Sequence, residues 1–442
     1  MREQSDFILS EDILPPETGE LVSIFVPSEH PLLKLKRALD WGQLEAVMQV
    51  RWREAGKNID GGPGLSFPVS FYVRLLVLMT VKALDSREME QYIAESVVAR
   101  VFLEIREPLK FQIRDHASIA RAQAGLGEAE FKEMNQLIIT EARRLGFAKT
   151  EILSSDTTVQ EPAIGYPHEA GILRGVAQRV ARIAKKLKQK GVESADSLSE
   201  KVKEVLKKVK HYYLFASGAE AKEKALEEVV KVSEEMLKTS AEFLKSGVET
   251  SQQVVKSGIK KLAEVVEFTR ELMPQIKSWM ETGVVATEKL LHCGITEARA
   301  IVKNKAGKKT EFGLKWLINR ISGGYVFGEV VQAREDEKKM PLEALKQYRE
   351  IFGEKATPEM VVYDRGGSSK RTVKELKKEG VEKVAIQPKG QAEWSIVEAD
   401  QEAALSQRGK TEGVIGTLKS QKYQQFSVWR KWFYIIKLES YF

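Results

Sequence analysis

At 442 residues the chain is long enough for two or three domains with a sizeable core, and no window approaches the ~20 apolar residues of a membrane span. The acidic amino terminus is unlike a signal peptide, so a soluble, cytoplasmic protein is expected, with no membrane partner. A single cysteine, Cys293, excludes a disulfide framework and a cysteine-based zinc site, while a net charge of +7 (70 basic against 63 acidic residues) leans toward an anionic partner.

In chain order, residues 1–30 carry scattered prolines and acids and are expected to form an arm or linker. Helical patterning runs through residues 31–148. The apolar block 67–84 follows a Gly-Gly-Pro-Gly loop and reads as a buried helix. Asp85 or Ser86 then caps the helix holding Met89, Ile93 and Val97. An all-α domain of this size and Arg/Lys content suits DNA binding, and any helical bundle would carry the same pattern.

At residue 151 the pattern changes. Ile152-Leu153-Ser154-Ser155 leads into Asp156 and then Thr157-Thr158-Val159, a strand with a carboxylate in it. Beyond it, Arg174, Arg179, Arg182, Lys185, Lys186, Lys188 and Lys190 follow one another with no acidic residue among them. Phosphate backbones favour such a one-signed stripe, whereas a solvated helix face usually mixes signs. The helical stretch continues to about residue 300. Leu226, Val230, Leu237 and Leu244, then Val255, Ile259, Leu262 and Val266, recur with a period of about 3.5 residues, which predicts an antiparallel hairpin or partner coil. His292 beside Cys293 reads as a structural pair.

Strand character resumes at Thr310, where TEFGLKWLI alternates, Ser322-Gly323-Gly324 makes a tight turn and YVFGEVVQA continues: a β-hairpin. After a helix over 341–352, the apolar run Met360-Val361-Val362-Tyr363 ends in Asp364 and Arg365-Gly366-Gly367. A carboxylate at that point sits on the carboxyl edge of an open α/β sheet, where ligands bind. Taken alone it is equally a cap for the next helix. A helix over 369–379, a strand over 383–387 and a helical region through 419 complete the pattern. Without the helical interruption the order is strand, strand, strand, helix, strand, helix, strand, helix, which predicts a mixed α/β (α+β) layer fold opening on an antiparallel meander.

On the last helix Arg408, Glu412, Ile415 and Lys419 share one face. By themselves they describe an ion-paired surface helix, each pair stabilising by only ~0.2–0.5 kcal/mol. Gly409, Gly413 and Gly416 run alongside, and each glycine costs a helix about 1 kcal/mol relative to alanine. Either a partner approaches the backbone closely there (DNA or the adjoining strand), or the helix breaks at Gly409 and restarts with Thr411 as its cap. Asp156, Asp364 and Glu412 can converge at one sheet edge. Oxygen donors without His or Cys suit a hard cation, Mg²⁺ or Mn²⁺, and two such ions about 3.5–4 Å apart serve phosphoryl transfer. Left uncompensated, three clustered anions would repel one another.

The order of SSDTTVQE, VVYDRGG and RGKTEGVIGTLK resembles the DDE transposases of bacterial insertion sequences. Arg408, Glu412 and Lys419 match that group's R-x3-E-x6-K pattern, with Leu405 where a tyrosine is usual. The resemblance implies a ribonuclease-H-like catalytic core (149–169 and 301–423), a helical insertion after the first strand (170–300) and a preceding helical DNA-binding domain (31–148). It implies metal-dependent cleavage at transposon ends and strand transfer into target DNA. Asp156, Asp364 and Glu412 would be the catalytic triad and the ligands of two Mg²⁺ or Mn²⁺ ions. Arg408 and Lys419 would contact end phosphates, and Arg174, Arg179, Arg182, Lys185 and Lys186 would add affinity for double-stranded DNA, in a homodimeric complex. Residues 424–442 depart from the pattern: they are aromatic and apolar and read as an altered, frameshifted or truncated carboxyl terminus, with Trp429 and Trp432 as packing residues. Two alternatives stand beside this reading, a structure-selective nuclease of the same fold and a decayed DNA-binding protein without catalysis.

Overall fold

A computed structural model describes residues 26–420 apart from 55–66, 83, 85, 110–115, 124–127, 145, 147–148, 163–166, 248–251, 303–309 and 389–392. Most of the expected arm, the cap option at Asp85 and the atypical carboxyl terminus lie outside these residues. The chain divides into two compact units, residues 1–158 with 316–442, and residues 159–315.

In the first unit, seven α-helices precede the first strand among the described residues: α1 (Pro31–Ala38), α2 (Trp41–Glu54), α3 (Val69–Lys82), α4 (Ser86–Glu95), α5 (Val97–Phe102), α6 (His116–Gln123) and α7 (Glu128–Arg144). α3 is apolar nearly all round, and it is accordingly buried along Phe71, Tyr72, Val73, Leu75, Leu76 and Leu78. Its one buried charge, Arg74, is paired with Glu45 (2.6 Å) and Glu104 (2.9 Å) and lies over the Trp41 ring. Burial of a cation requires such compensation.

The strand β1 (Ile152–Gln160) leads into the second unit, whose helices are α8 (Glu169–Lys188), α9 (Ala195–Leu214), α10 (Ala219–Lys245) and α11 (Gln253–Thr282). All four share one apolar core, including Leu173, Val180, Leu198, Val205, Val229, Leu262 and Leu272. The heptad-like spacing thus builds a four-helix arrangement rather than an isolated hairpin, because α8 and α9 carry the same apolar stripe. Outside that core Lys201 pairs with Glu235, Lys208 with Glu228 and Lys277 with Glu234. A short strand absent from the sequence reading follows, β2 (Arg299–Val302).

Next come β3 (Thr310–Ile321), β4 (Val326–Val331), α12 (Met340–Phe352), β5 (Met360–Tyr363), α13 (Lys370–Lys378), β6 (Lys383–Ile386) and α14 (Glu398–Ser420). Apart from β2, the element order after the helical interruption is the expected one, and the fold is mixed α+β. The sheet order is β2-β3-β1-β5-β6, with β4 also on β3. β1, β5 and β6 run parallel, and β2 is antiparallel to β3. β3 runs against β1: Ser322 just past its end donates to Ile152 O (3.0 Å), while Gly313 near its start abuts the backbone of Gln160. A Cβ at Gly313 or at Gly328 would collide with the neighbouring strand's carbonyl oxygen, so close strand approach demands glycine there. β3 does not alternate in burial; it is buried continuously from Gly313. β3 and β4 pair as the expected hairpin, and the buried run of β3 includes Lys315, Asn319 and Arg320 beside Leu314, Trp316 and Leu317. No described helix is long and apolar enough to cross a membrane.

Candidate active site

The parallel register of β1 and β5 pairs Ile152 with Met360, Leu153 with Val361 and Ser154 with Val362. Continued two residues, one of them past the end of β5 at Tyr363, the register sets Asp156 level with Asp364. Side chains alternate along a strand, so Asp156 follows Ser154 on one face and Asp364 follows Val362. Two carboxylates 208 positions apart in sequence thereby reach one level of the sheet edge.

Asp364 does act as a cap, but of a 3₁₀ turn rather than of the next helix. Its Oδ1 accepts from Gly366 N (2.7 Å) at the head of the turn Arg365–Gly367. α13 is capped separately by Ser369, whose Oγ accepts from Thr372 N (3.0 Å). A carboxylate offers two oxygens and about four lone-pair sites, so capping and ligation are compatible. The two glycines of the motif make room for this turn. A Cβ at Gly366 would lie 2.8 Å from Asp364 Oδ1, and one at Gly367 would lie 2.6 Å from the Tyr363 ring and 2.9 Å from Pro341.

Asp156 is half-buried, and its Oδ1 accepts from the adjacent Thr157 N (2.7 Å). Beside it, a third carboxylate that the motif reading did not include joins the two strands. Glu337 stands on the 3₁₀ turn Glu337–Lys339 ahead of α12; it accepts from Thr157 Oγ1 (2.9 Å) through one oxygen and from the Tyr363 hydroxyl (2.7 Å) through the other. Burial drives the Tyr363 hydroxyl well above the usual tyrosine range, Glu337 adds to the rise, and Asp156 and Asp364 push the same way. Negative potential from three carboxylates thus converges on this strand end. All three are oxygen donors, the class that suits a hard cation, but together they are not placed to hold one. No sequence motif marks Glu337; its one local signal is the capping residue Asp336, which accepts from Lys338 N (3.1 Å).

Glu412 approaches from α14. That helix is continuous through Gly409, and Thr411 is a buried mid-helix residue, not a cap: its hydroxyl is hydrogen-bonded to Ser154 Oγ (2.8 Å) and to Gln407 O (3.1 Å). The helix does not break at Gly409 and restart at Thr411. Arg320 Nη1 also donates to Gln407 Oε1 (2.6 Å). α14 is therefore seated on β1 two residues short of Asp156, with Glu412 next to the anchoring threonine. Glu412 itself is exposed and accepts from Arg408 Nε (2.9 Å). Lys419 lies in the last turn of the same helix and is half-buried; Leu405 is exposed. A Cβ at Gly409, Gly413 or Gly416 would meet nothing within 4 Å, so packing on the adjoining strand does not explain these glycines. Among the described residues no group of three or more His, Cys, Asp or Glu is placed to hold a metal ion. Asp156 and Asp364 are brought level, while Glu412 is held by Arg408.

On α8, Arg174, Arg182, Lys185 and Lys186 are exposed. Arg179 differs. It is half-buried, with its guanidinium close enough to Gly294 that a Cβ there would lie 3.1 Å from Nη1. Lys188 pairs with Asp196. His292 Nδ1 accepts from Gly294 N (3.0 Å), and burial pushes the Cys293 thiol up, so this pair is a packing element of the second unit.

Comparison with known families places residues 21–124 in the family model described as Transposase domain (DUF772). The match covers α1–α6 and the segments between them. Comparison with the curated proteins and with the solved structures finds no match.

Proposed function

We propose that the chain is a DDE transposase with a ribonuclease-H-like core, which cleaves DNA at transposon ends and joins the freed 3′-hydroxyl to target DNA. One geometric inference carries the reading: continuing the β1–β5 register past Tyr363 would bring Asp156, within β1, level with Asp364, and Thr411 seats the Glu412 helix on β1. The transposase-domain match over 21–124, an independent stretch of the chain, supports it. So does an antiparallel hairpin on one side of β1 with parallel strands on the other, the arrangement this fold reading expects.

Asp156, Asp364 and Glu412 would hold Mg²⁺ or Mn²⁺. When bound, such ions supply Lewis-acid polarisation of the phosphate and an activated water or 3′-hydroxyl. The remaining work falls to the chain's own residues. Arg408 and Lys419 bind end phosphates. Arg408 now pairs with Glu412, and exposed pairs of this kind stabilise by only about 0–1 kcal/mol, so a phosphate can take Arg408 at little cost and release the Glu412 carboxylate. The exposed cations of α8 add sequence-independent affinity for double-stranded DNA, and a homodimer would bring two ends together.

The test is Asp364→Asn in the full chain. Mg²⁺-dependent end cleavage is expected to disappear while gel-shift affinity for end DNA persists. Nicking that continues undiminished in this variant would overturn the assignment. A strand-transfer assay with pre-cleaved ends separates a transposase, which forms joined product, from a nuclease, which does not.

A further inference from the structure

The geometry points to Glu337 as a positioning residue that clamps the middle of β1 to the end of β5 and so sets the spacing of Asp156 and Asp364; the inference rests on the reading of those two as the catalytic carboxylates. Glu337 makes one hydrogen bond to each strand, and each partner adjoins one of the two aspartates. Thr157 Oγ1 donates at 2.9 Å from the residue after Asp156, and Tyr363 Oη at 2.7 Å from the residue before Asp364. A single carboxylate thus bridges the middle of β1 and the end of β5 at the level of the candidate site.

The clamp is itself anchored. Asp336 caps the 3₁₀ turn that bears Glu337, and the carbonyl of the next residue, Lys338, accepts from Thr372 Oγ1 (2.7 Å) at the start of α13. On its other side Glu337 approaches the Asp364 turn, where a Cβ at Gly366 would lie 3.5 Å from the Glu337 Cβ. The hydroxyl of Tyr363 is carried by a ring that is 2% exposed, so its acceptor cannot be exchanged for water without loss. Both aspartates also accept a backbone N–H through Oδ1, from Thr157 N and from Gly366 N. These two amides report the orientation of the carboxylates directly.

Hydrogen exchange of the full chain, without metal or DNA, tests the clamp in wild type, Glu337→Ala and Glu337→Gln. Loss of a buried hydrogen-bond acceptor predicts about tenfold faster exchange at Thr157 and Gly366 in Glu337→Ala, with unchanged protection in α2 and α3. Glutamine can accept from one hydroxyl and donate to the other, so Glu337→Gln is expected to restore both amides. Mn²⁺ titration should follow the same ranking, with affinity lowered about tenfold in the alanine variant and recovered in the glutamine variant. Unchanged exchange at both amides in Glu337→Ala overturns the clamp. Glutamine behaving like alanine overturns it too, since the charge of Glu337 would then matter and not its bridge. Should Glu337→Ala fail to fold, Tyr363→Phe removes one arm of the bridge and keeps the ring; faster exchange at Gly366 supports the clamp, and unchanged exchange refutes it. If wild type binds no Mn²⁺ while the exchange result holds, the metal-dependent reading fails and the clamp stands.

Discussion

Gly366 occupies a position where any side chain would press on the Asp364 carboxylate, with a Cβ 2.8 Å from Oδ1. Alanine there must displace either the carboxylate or the turn, an overpacking that typically costs about 1–3 kcal/mol. Gly366→Ala is therefore expected to lower end cleavage much more than Gly409→Ala, whose Cβ meets nothing within 4 Å. Cleavage rates alongside melting temperatures check this. Thr411 is the other residue on which the site depends. Thr411→Val keeps the shape but removes the hydroxyl bonded to Ser154; Ser154 Oγ keeps its 3.4 Å bond to Gln407 O, so the loss is that of a net hydrogen bond, about 0.5–1.5 kcal/mol. Chemical denaturation should register that loss, and cleavage should fall with it as α14 loosens from β1.

At the scale of elements, α14 carries its glycines on an open face and its anchors on the covered one. The stripe Gly409, Gly413, Gly416 is continuous helix with vacant space beside it, so replacement by alanine is expected to stabilise the helix by up to about 1 kcal/mol per site. If a DNA backbone approaches that face, Gly413→Ala will weaken end binding in a gel shift while raising the melting temperature. Stability and affinity moving in opposite directions is the expected signature; an affinity that does not change would remove the reason offered for the stripe. β3 and β4 answer to a different constraint. Gly313 and Gly328 lie where neighbouring backbones come within reach of a Cβ, and their replacement should destabilise the sheet with no compensating gain.

For the whole molecule, the core of α8–α11 draws, among the described residues, only on those between 170 and 293. A fragment spanning 167–298 should therefore fold by itself, with a helical circular dichroism spectrum and a cooperative melt. Its cationic face divides into two kinds of residue. Neutralising Arg174, Arg182, Lys185 and Lys186 together is expected to reduce the slope of log affinity against log salt for the full chain, with little change in stability. The reduction should be roughly 0.9 for each DNA phosphate that is no longer neutralised. Arg179→Ala should act chiefly on stability, because its guanidinium packs on the loop at Gly294.

Strand and helix order after β2, a carboxylate within β1 (Asp156) and one just past β5 (Asp364), and the shared face of Arg408 and Glu412 were legible in the order of residues. Each rests on local rules: apolar runs between turn residues, the carboxyl edge of a strand, and helical spacing. The continuity of α14 was not legible, because glycine spacing is compatible with a break, and only the seat of Thr411 on Ser154 resolves it. Nor was β2, four residues long and made a strand by its pairing with β3. Glu337 lay furthest from view. Its role comes from hydrogen bonds to residues 180 positions before it and 26 after it, pairings that no local pattern encodes and that exist only once the sheet has formed.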